Sequence, residues 1–287
     1  MSARQRNSPV AIVSALIAMI PLAAALIAAD SRALASPAQT HAQAPPAQKA
    51  PKGKAIVPAP LPEVPMPFRI GEKLDYRIAW SAFNSAATLE ITVPERRQLY
   101  SWRTWHLQAV FHTLRPVRTL FAIDDQFDSY TDTSSLESRQ FEMYLQELGK
   151  SETHVLHFVP RDQPVRTPGP AVVVLPGTRD PLGMLFALRG VDWQHTPEVR
   201  VPVCDGHDLY EARAHMEALD EPVQVDAGTF RASRIAIRVF QNDKEVASTH
   251  FTLWFANDAA RTPVQVVAEL PFGEIRVELT SPKSSQR

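Results

Sequence analysis

The sequence predicts an all-β domain: a single long antiparallel sheet, strongly curved into a half-barrel or barrel, with one short helix at its mouth or concave face. Three observations carry this reading. From Lys73 onward most segments alternate apolar and polar residues, the pattern of strands with one buried and one wet face. Turn residues punctuate these segments, as in "CDGH", "QND" and "ANDAA". Only one stretch changes to helical spacing.

The strands follow one another closely. "KLDYRIAW" places Leu74, Tyr76, Ile78 and Trp80 on one face and Lys73, Asp75 and Arg77 on the other. "AATLEITV" sets Ala87, Leu89, Ile91 and Val93 against Thr88, Glu90 and Thr92. "SWRTWHLQAVFHT" alternates Trp105, Leu107, Ala109 and Phe111 with Thr104, His106, Gln108 and His112. Further segments bring the expected sheet to about ten strands. Asp205-Gly206 fits a two-residue hairpin in which Cys204 faces His207. In "TRDPLGMLFALRGVDW", Asp180 is the expected N-cap and Pro181 the first helical residue. Leu182, Leu185, Phe186 and Leu188 or Arg189 follow at helical spacing, and Gly190 is the expected C-cap. A lone apolar helix in a β chain needs a concave surface to bury against.

The C-terminal stretch is patterned to its end. Val264, Val266 and Ala268 present an apolar face that Ile275, Val277 and Leu279 continue across a Pro271–Gly273 corner, with Glu274, Arg276 and Glu278 wet. The last strand is therefore expected to complete or close the sheet.

Three regions are expected. Residues 1–35 have a basic start, an apolar run from Pro9 to Ala29 and small residues Ala33 and Ala35. This is the pattern of a secretory signal peptide cut after Ala35. The run is also about as long as a bilayer span, so an uncleaved anchor is the alternative. No cysteine stands near the cut, which argues against a lipoprotein and for a periplasmic protein. Residues 36–66, rich in Pro and Ala, read as a disordered linker, either a spacer across the periplasm or a tolerated tail. Residues 67–283 form the antiparallel β domain. Without Arg4, Arg6, Arg32 and Asp30, 27 basic residues face 30 acidic ones, which gives no electrostatic case for nucleic acid. The lone Cys204 can form no internal disulfide, so the fold must rest on its core.

No nucleophile elbow, dinucleotide fingerprint or phosphate loop occurs, and neither a catalytic residue, a metal ligand nor a cofactor is assigned. In "DDQFDSYTD", Asp124, Asp128 and Asp132 share a strand face about 13 Å apart, too far to share a metal. They read as a solvated face. His154 and His157 would point to opposite faces of a strand. Cys204 and His207 make only two ligands, fewer than zinc requires. The interior aromatics Tyr76, Trp80, Trp105, Phe111, Phe251 and Phe255 are the candidate ligand-binding residues, on the premise that a curved sheet leaves a hollow one helix does not fill.

"PFRIGEKLDYRIAW", "DDQFDSYTD", "DPLGMLFALR", "DAGTFRASRI" and "LWFANDAARTPVQVVAELPFGEIRVELTS" together resemble the exported domain-of-unknown-function family 3108, over about residues 67–281. The resemblance implies an exported antiparallel β domain and offers no catalytic residue. The expected shape is also similar to that of periplasmic lipoprotein-carrier half-barrels. Three functions follow as expectations. The first is a non-enzymatic binder or chaperone of an apolar envelope component, such as a lipid or acyl chain. The second is an envelope scaffold that contacts proteins and has a filled core. The third is a hydrolase whose residues meet only in three dimensions.

Overall fold

The computed structural model describes residues 65–162, 171–270 and 273–283. Thirteen strands form one sheet among them, more than the ten expected. They are β1 (Lys73–Trp80), β2 (Phe83–Leu99), β3 (Trp102–Thr113), β4 (Asp124–Asp132), β5 (Ser138–Glu147), β6 (Lys150–Pro160) and β7 (Ala171–Val174). After the helix α1 (Pro181–Gly190) come β8 (Glu198–Cys204), β9 (Leu209–Val225), β10 (Gly228–Gln241), β11 (Lys244–Ala256), β12 (Pro263–Leu270) and β13 (Gly273–Lys283). The four-residue β7 is too short for alternation to reveal, and it pairs in parallel with β6. All other neighbours in the sheet pair antiparallel.

The spatial order is β7-β6-β5-β4-β3-β2-β1-β13-β12-β11-β10-β9-β8. Two meanders thus run outward from a central pair made by the first and last strands. β13 is bonded to β1 on one side and β12 on the other, so the C-terminal strand joins the two halves. The far ends nearly meet. Ser138 N–H donates to Thr178 O at 3.1 Å, while Arg179 N–H donates to Pro202 O and Cys204 N–H to Arg179 O, both at 2.9 Å. The segment before α1 therefore bridges β5 to β8, and the sheet becomes a nearly closed barrel.

Alternation places the inner faces as read from the sequence. Leu89, Ile91, Leu107, Ala109, Ile237, Ile275 and Leu279 are all 2% exposed or less. Gly273 has φ +125° and pairs with Leu270, so the final hairpin turns where expected. Pro271 lies outside the described residues.

The helix is buried on nearly every side, from Pro181 to Arg189, as a plug inside the barrel. Its N-terminus follows expectation: the Asp180 side chain accepts from Gly183 N–H, and Pro181 opens the first turn. Its C-terminus does not. Gly190 is the last helical residue and Val191 the cap. The last carbonyls are met by side chains instead, with Trp193 Nε1 donating to Leu188 O at 3.1 Å and Arg261 Nη1 to Gly190 O at 2.9 Å. No left-handed glycine is then needed.

One turn also departs from expectation. Cys204 pairs with Leu209 rather than facing His207, so the loop is four residues long. Asp205 organises it by accepting from the His207 and Asp208 N–H groups, both at 2.8 Å.

Candidate functional site at the barrel mouth

The chain enters the barrel across one of its open ends. Gly71 N–H donates to Val93 O at 2.9 Å, and Val93 N–H to Glu72 O at 3.0 Å, which fastens residues 65–72 against β2 as a strap. Gly71 has φ +81°, a left-handed turn that any other residue would strain. The strap inserts Phe68 between a strand and the helix. Its ring meets Trp105 edge-on at 5.0 Å and Phe186 at 4.8 Å, an arrangement favoured by aromatic quadrupoles.

Beneath Phe68 lies Arg189, which has no exposed surface. Its Nη1 donates to Glu72 Oε1 at 2.7 Å and its Nη2 to Ala260 O at 2.9 Å. The Arg96 guanidinium lies over the Trp105 ring, 4.0 Å from its centroid. Around these groups opens a depression of about 410 Å³ lined by Pro65, Met66, Phe68, Arg69, Ile70, Arg96 and Trp105. Ile70 is half exposed, and the buried Trp105 Nε1–H has no partner. Apolar surface thus adjoins two guanidinium groups at one rim.

The six aromatics singled out from sequence do not form one patch. Trp105 lines the mouth. Tyr76, Phe111, Phe251 and Phe255 lie in the core at 3% exposure or less. The Tyr76 hydroxyl donates to Pro263 O at 2.8 Å, and burial raises its pKa far above the ordinary phenol value. Trp80 ends β1, away from the strap, and stands half-buried beside Phe83 and Phe121. Met66, Phe68 and Arg69 escaped sequence reasoning because nothing local marks a segment that crosses a barrel end, and Arg96 because only the fold brings its place on β2 to that segment.

The acidic strand β4 requires a correction. Only Asp124 is substantially exposed; it pairs with Arg118 and His112, and these contacts lower its pKa to about 2. Asp128 and Asp132 are buried rather than solvated, each enclosed by hydrogen-bonding neighbours. Asp128 accepts from Gln108 Nε2 and Gln126 Nε2 and lies 2.6 Å from His106 Nε2. Burial pushes its pKa up, but these partners outweigh burial and hold the carboxyl below its usual range. Asp132 accepts from Ser134 and Ser135 N–H and faces Arg139.

His154 and His157 fall on opposite faces of β6, as their spacing requires. Cys204 is a buried free thiol whose pKa burial raises to about 11, which makes it a poor nucleophile, and His207 is exposed. Among the described residues, no group of three or more His, Cys, Asp or Glu side chains is placed to hold a metal ion.

Three solved structures are similar to this chain at low identity. A protein from Bacteroides fragilis described as exported, with a YmcC-like fold, is 11% identical with a TM-score of 0.35; the match covers 76% of this chain and 98% of that one. A β-barrel-like protein of the domain of unknown function DUF1849 from Brucella abortus is 8% identical with a TM-score of 0.44, over 75% and 97%. A protein described as a lipoprotein from Parabacteroides distasonis is 11% identical with a TM-score of 0.37, over 76% and 98%. No curated protein sequence matches the chain. The profile of DUF3108, a protein family of unknown function, matches residues 75–280, which run from β1 to β13 and take in every strand and the plug helix; the chain belongs to that family.

Proposed function

We propose that this is a non-enzymatic binding protein of the cell envelope. It takes an apolar envelope component, such as a lipid or acyl chain, at the barrel mouth. The observation that carries the reading is the 410 Å³ depression in which Met66, Phe68, Ile70 and Trp105 adjoin Arg69 and Arg96. Its volume falls within the range of about 300–1,000 Å³ usual for ligand sites. In this reading residues 1–35 direct export to the periplasm, residues 36–66 tether the domain, and no cofactor is needed.

Mass spectrometry of lipid extracted from natively purified protein tests it. A lipid should co-purify and disappear in Met66→Asp. Absence of lipid from the wild type, together with no change in tryptophan emission on adding oleate, would overturn it.

A second reading is supported by the burial of Tyr76, Phe111, Phe251 and Phe255 around α1. That filled interior suits an envelope scaffold acting through protein contacts. It predicts a stable protein partner in cross-linking from intact cells and no bound lipid.

A further inference from the structure

The end of the barrel opposite the strap presents apolar side chains to solvent. Three connections meet there: the β1–β2 turn, the β3–β4 connection at residues 114–123 and the β5–β6 turn. Leu114 N–H donates to Ala86 O and Leu148 N–H to Ala122 O, both at 2.8 Å, which ties the middle connection to β2 and to the β5–β6 turn. The Phe121 ring meets Trp80 at 6.4 Å, and Trp80 meets Phe83 at 6.3 Å. Around this aromatic base Phe83 is 39% exposed, Leu148 52% and Leu120 72%.

Leu148 occupies an unfavourable place. Glu147 pairs with Lys150, so Leu148 and Gly149 form a two-residue turn, with φ of +50° and +80°. A turn that needs positive φ at both central positions suits Asn, Asp and Gly and strains a leucine. The β10–β11 turn of this chain meets the same requirement with Asn242 and Asp243, at φ +51° and +61°. A half-exposed leucine in that conformation serves neither the turn nor the core. Leu120 likewise stands outside the core, and contiguous apolar groups left in water mark interaction sites.

Exposed cations flank these groups. Arg115 stands in the middle connection and Lys150 follows the β5–β6 turn, and neither has an ion-pair partner among the described residues. The nearby Asp124 is answered by Arg118 and His112. Glu147 is half-buried, and burial together with Glu152 raises its pKa, which disfavours its charge. The chain as a whole has a net charge of -1, so this basic excess is local. The apolar groups sit on the tips of separate turns rather than in a groove. Such tips, with cations beside them, suit a surface that yields to side chains and carries negative charge. An anionic lipid leaflet has both properties.

We infer that this end of the barrel docks on an anionic lipid surface, inserting Phe83, Leu120 and Leu148 among the headgroups while Arg115 and Lys150 meet the phosphates. Trp80 and Phe121 brace the inserted tips from behind. The contact uses none of the residues of the mouth, which lies at the other end, and it does not depend on what the mouth binds.

Full-length chains carrying Leu120→Cys or Leu219→Cys, labelled with a nitrobenzoxadiazole fluorophore, test this on vesicles of phosphatidylglycerol and phosphatidylcholine. Cys204 is buried and escapes the label. Emission from position 120 should brighten and shift to the blue, while position 219, 42% exposed on β9, should not respond. Leu148→Asn should raise the lipid concentration needed for half the change about tenfold, with the unfolding free energy unchanged or higher. Arg115→Glu should raise it about fivefold or more, as should vesicles of phosphatidylcholine alone. No response at position 120, as in a chain held only by its N-terminal apolar run, would overturn the inference. So would equal responses at both positions, or an undiminished response in Leu148→Asn. A change at position 120 without vesicles, accompanied by dimers in sedimentation, would assign the rim to a second copy and overturn it too.

Discussion

Arg189 of the plug helix and Glu72 of the entrance strap form an ion pair of 2.7 Å across the barrel mouth, with the guanidinium wholly buried. Removing one partner of such a pair leaves an uncompensated buried charge, which costs more than the pair contributes. Glu72→Ala should lower the unfolding free energy by about 3 kcal/mol in urea denaturation. The double variant Glu72→Ala/Arg189→Met should recover part of the loss. A single variant as stable as the wild type would show that the strap does not hold the helix.

Asp180 meets the other end of the helix. It is fully buried, accepts from Gly183 N–H at 2.8 Å, and accepts from the Ser129 and Ser138 hydroxyls, both at 2.5 Å. Asp180→Ala removes an N-cap and strands two buried hydroxyls. The expected loss is about 2–4 kcal/mol, measurable by thermal or chemical unfolding. Asp180→Asn keeps an acceptor and should cost less.

The stability of this protein should carry a pH signature from Asp125. The side chain is 1% exposed and its Oδ2 has no partner. Burial, opposed by the Gln146 N–H and assisted by Glu147 and Asp124, raises its pKa to about 7. Between pH 4 and 7 the folded state therefore holds a proton that the unfolded state has released. This group's contribution is complete at low pH and fades as the pH rises through 7, by up to about 4 kcal/mol. Asp125→Asn should remove that slope. Unfolding curves of the two proteins at pH 4, 5.5 and 7.5 should converge at the acid end if the substitution is otherwise benign. Parallel curves would refute the assignment.

Truncation after Glu269 removes β13 from between β1 and β12. The expected result is loss of cooperative unfolding and of near-ultraviolet circular dichroism. Within the strand, Ile275→Ala at a fully buried position should cost about 2–5 kcal/mol. Leu120→Ala, at a residue 72% exposed, should stay within about 0.5 kcal/mol of wild type.

Much of the fold was legible because strand alternation reports one-sided burial directly. Ile275, Val277 and Leu279 face inward as their spacing dictates, and Asp180-Pro181 starts the helix where capping chemistry puts it. The seam was not legible. β7 is four residues long, and the bridge through Arg179 depends on strands far apart in sequence. The mouth was hidden for a related reason. Met66 falls on the linker side of the expected boundary, and Phe68 gains its role only where Trp105 and Phe186 converge. The outer face of β3–β6 was concealed by register, since His106, Tyr130, Gln140 and His157 share a row only once these four strands have paired. The same register explains why Asp128 is buried when its local pattern reads as wet.

The central pairing of β1 with β13 has a mechanical consequence. Lys73, where β1 begins, lies opposite Lys283, where β13 ends, so both ends of the domain leave the barrel at one rim. A force drawn between them peels the two strands apart one hydrogen bond at a time, the weak direction for a sheet.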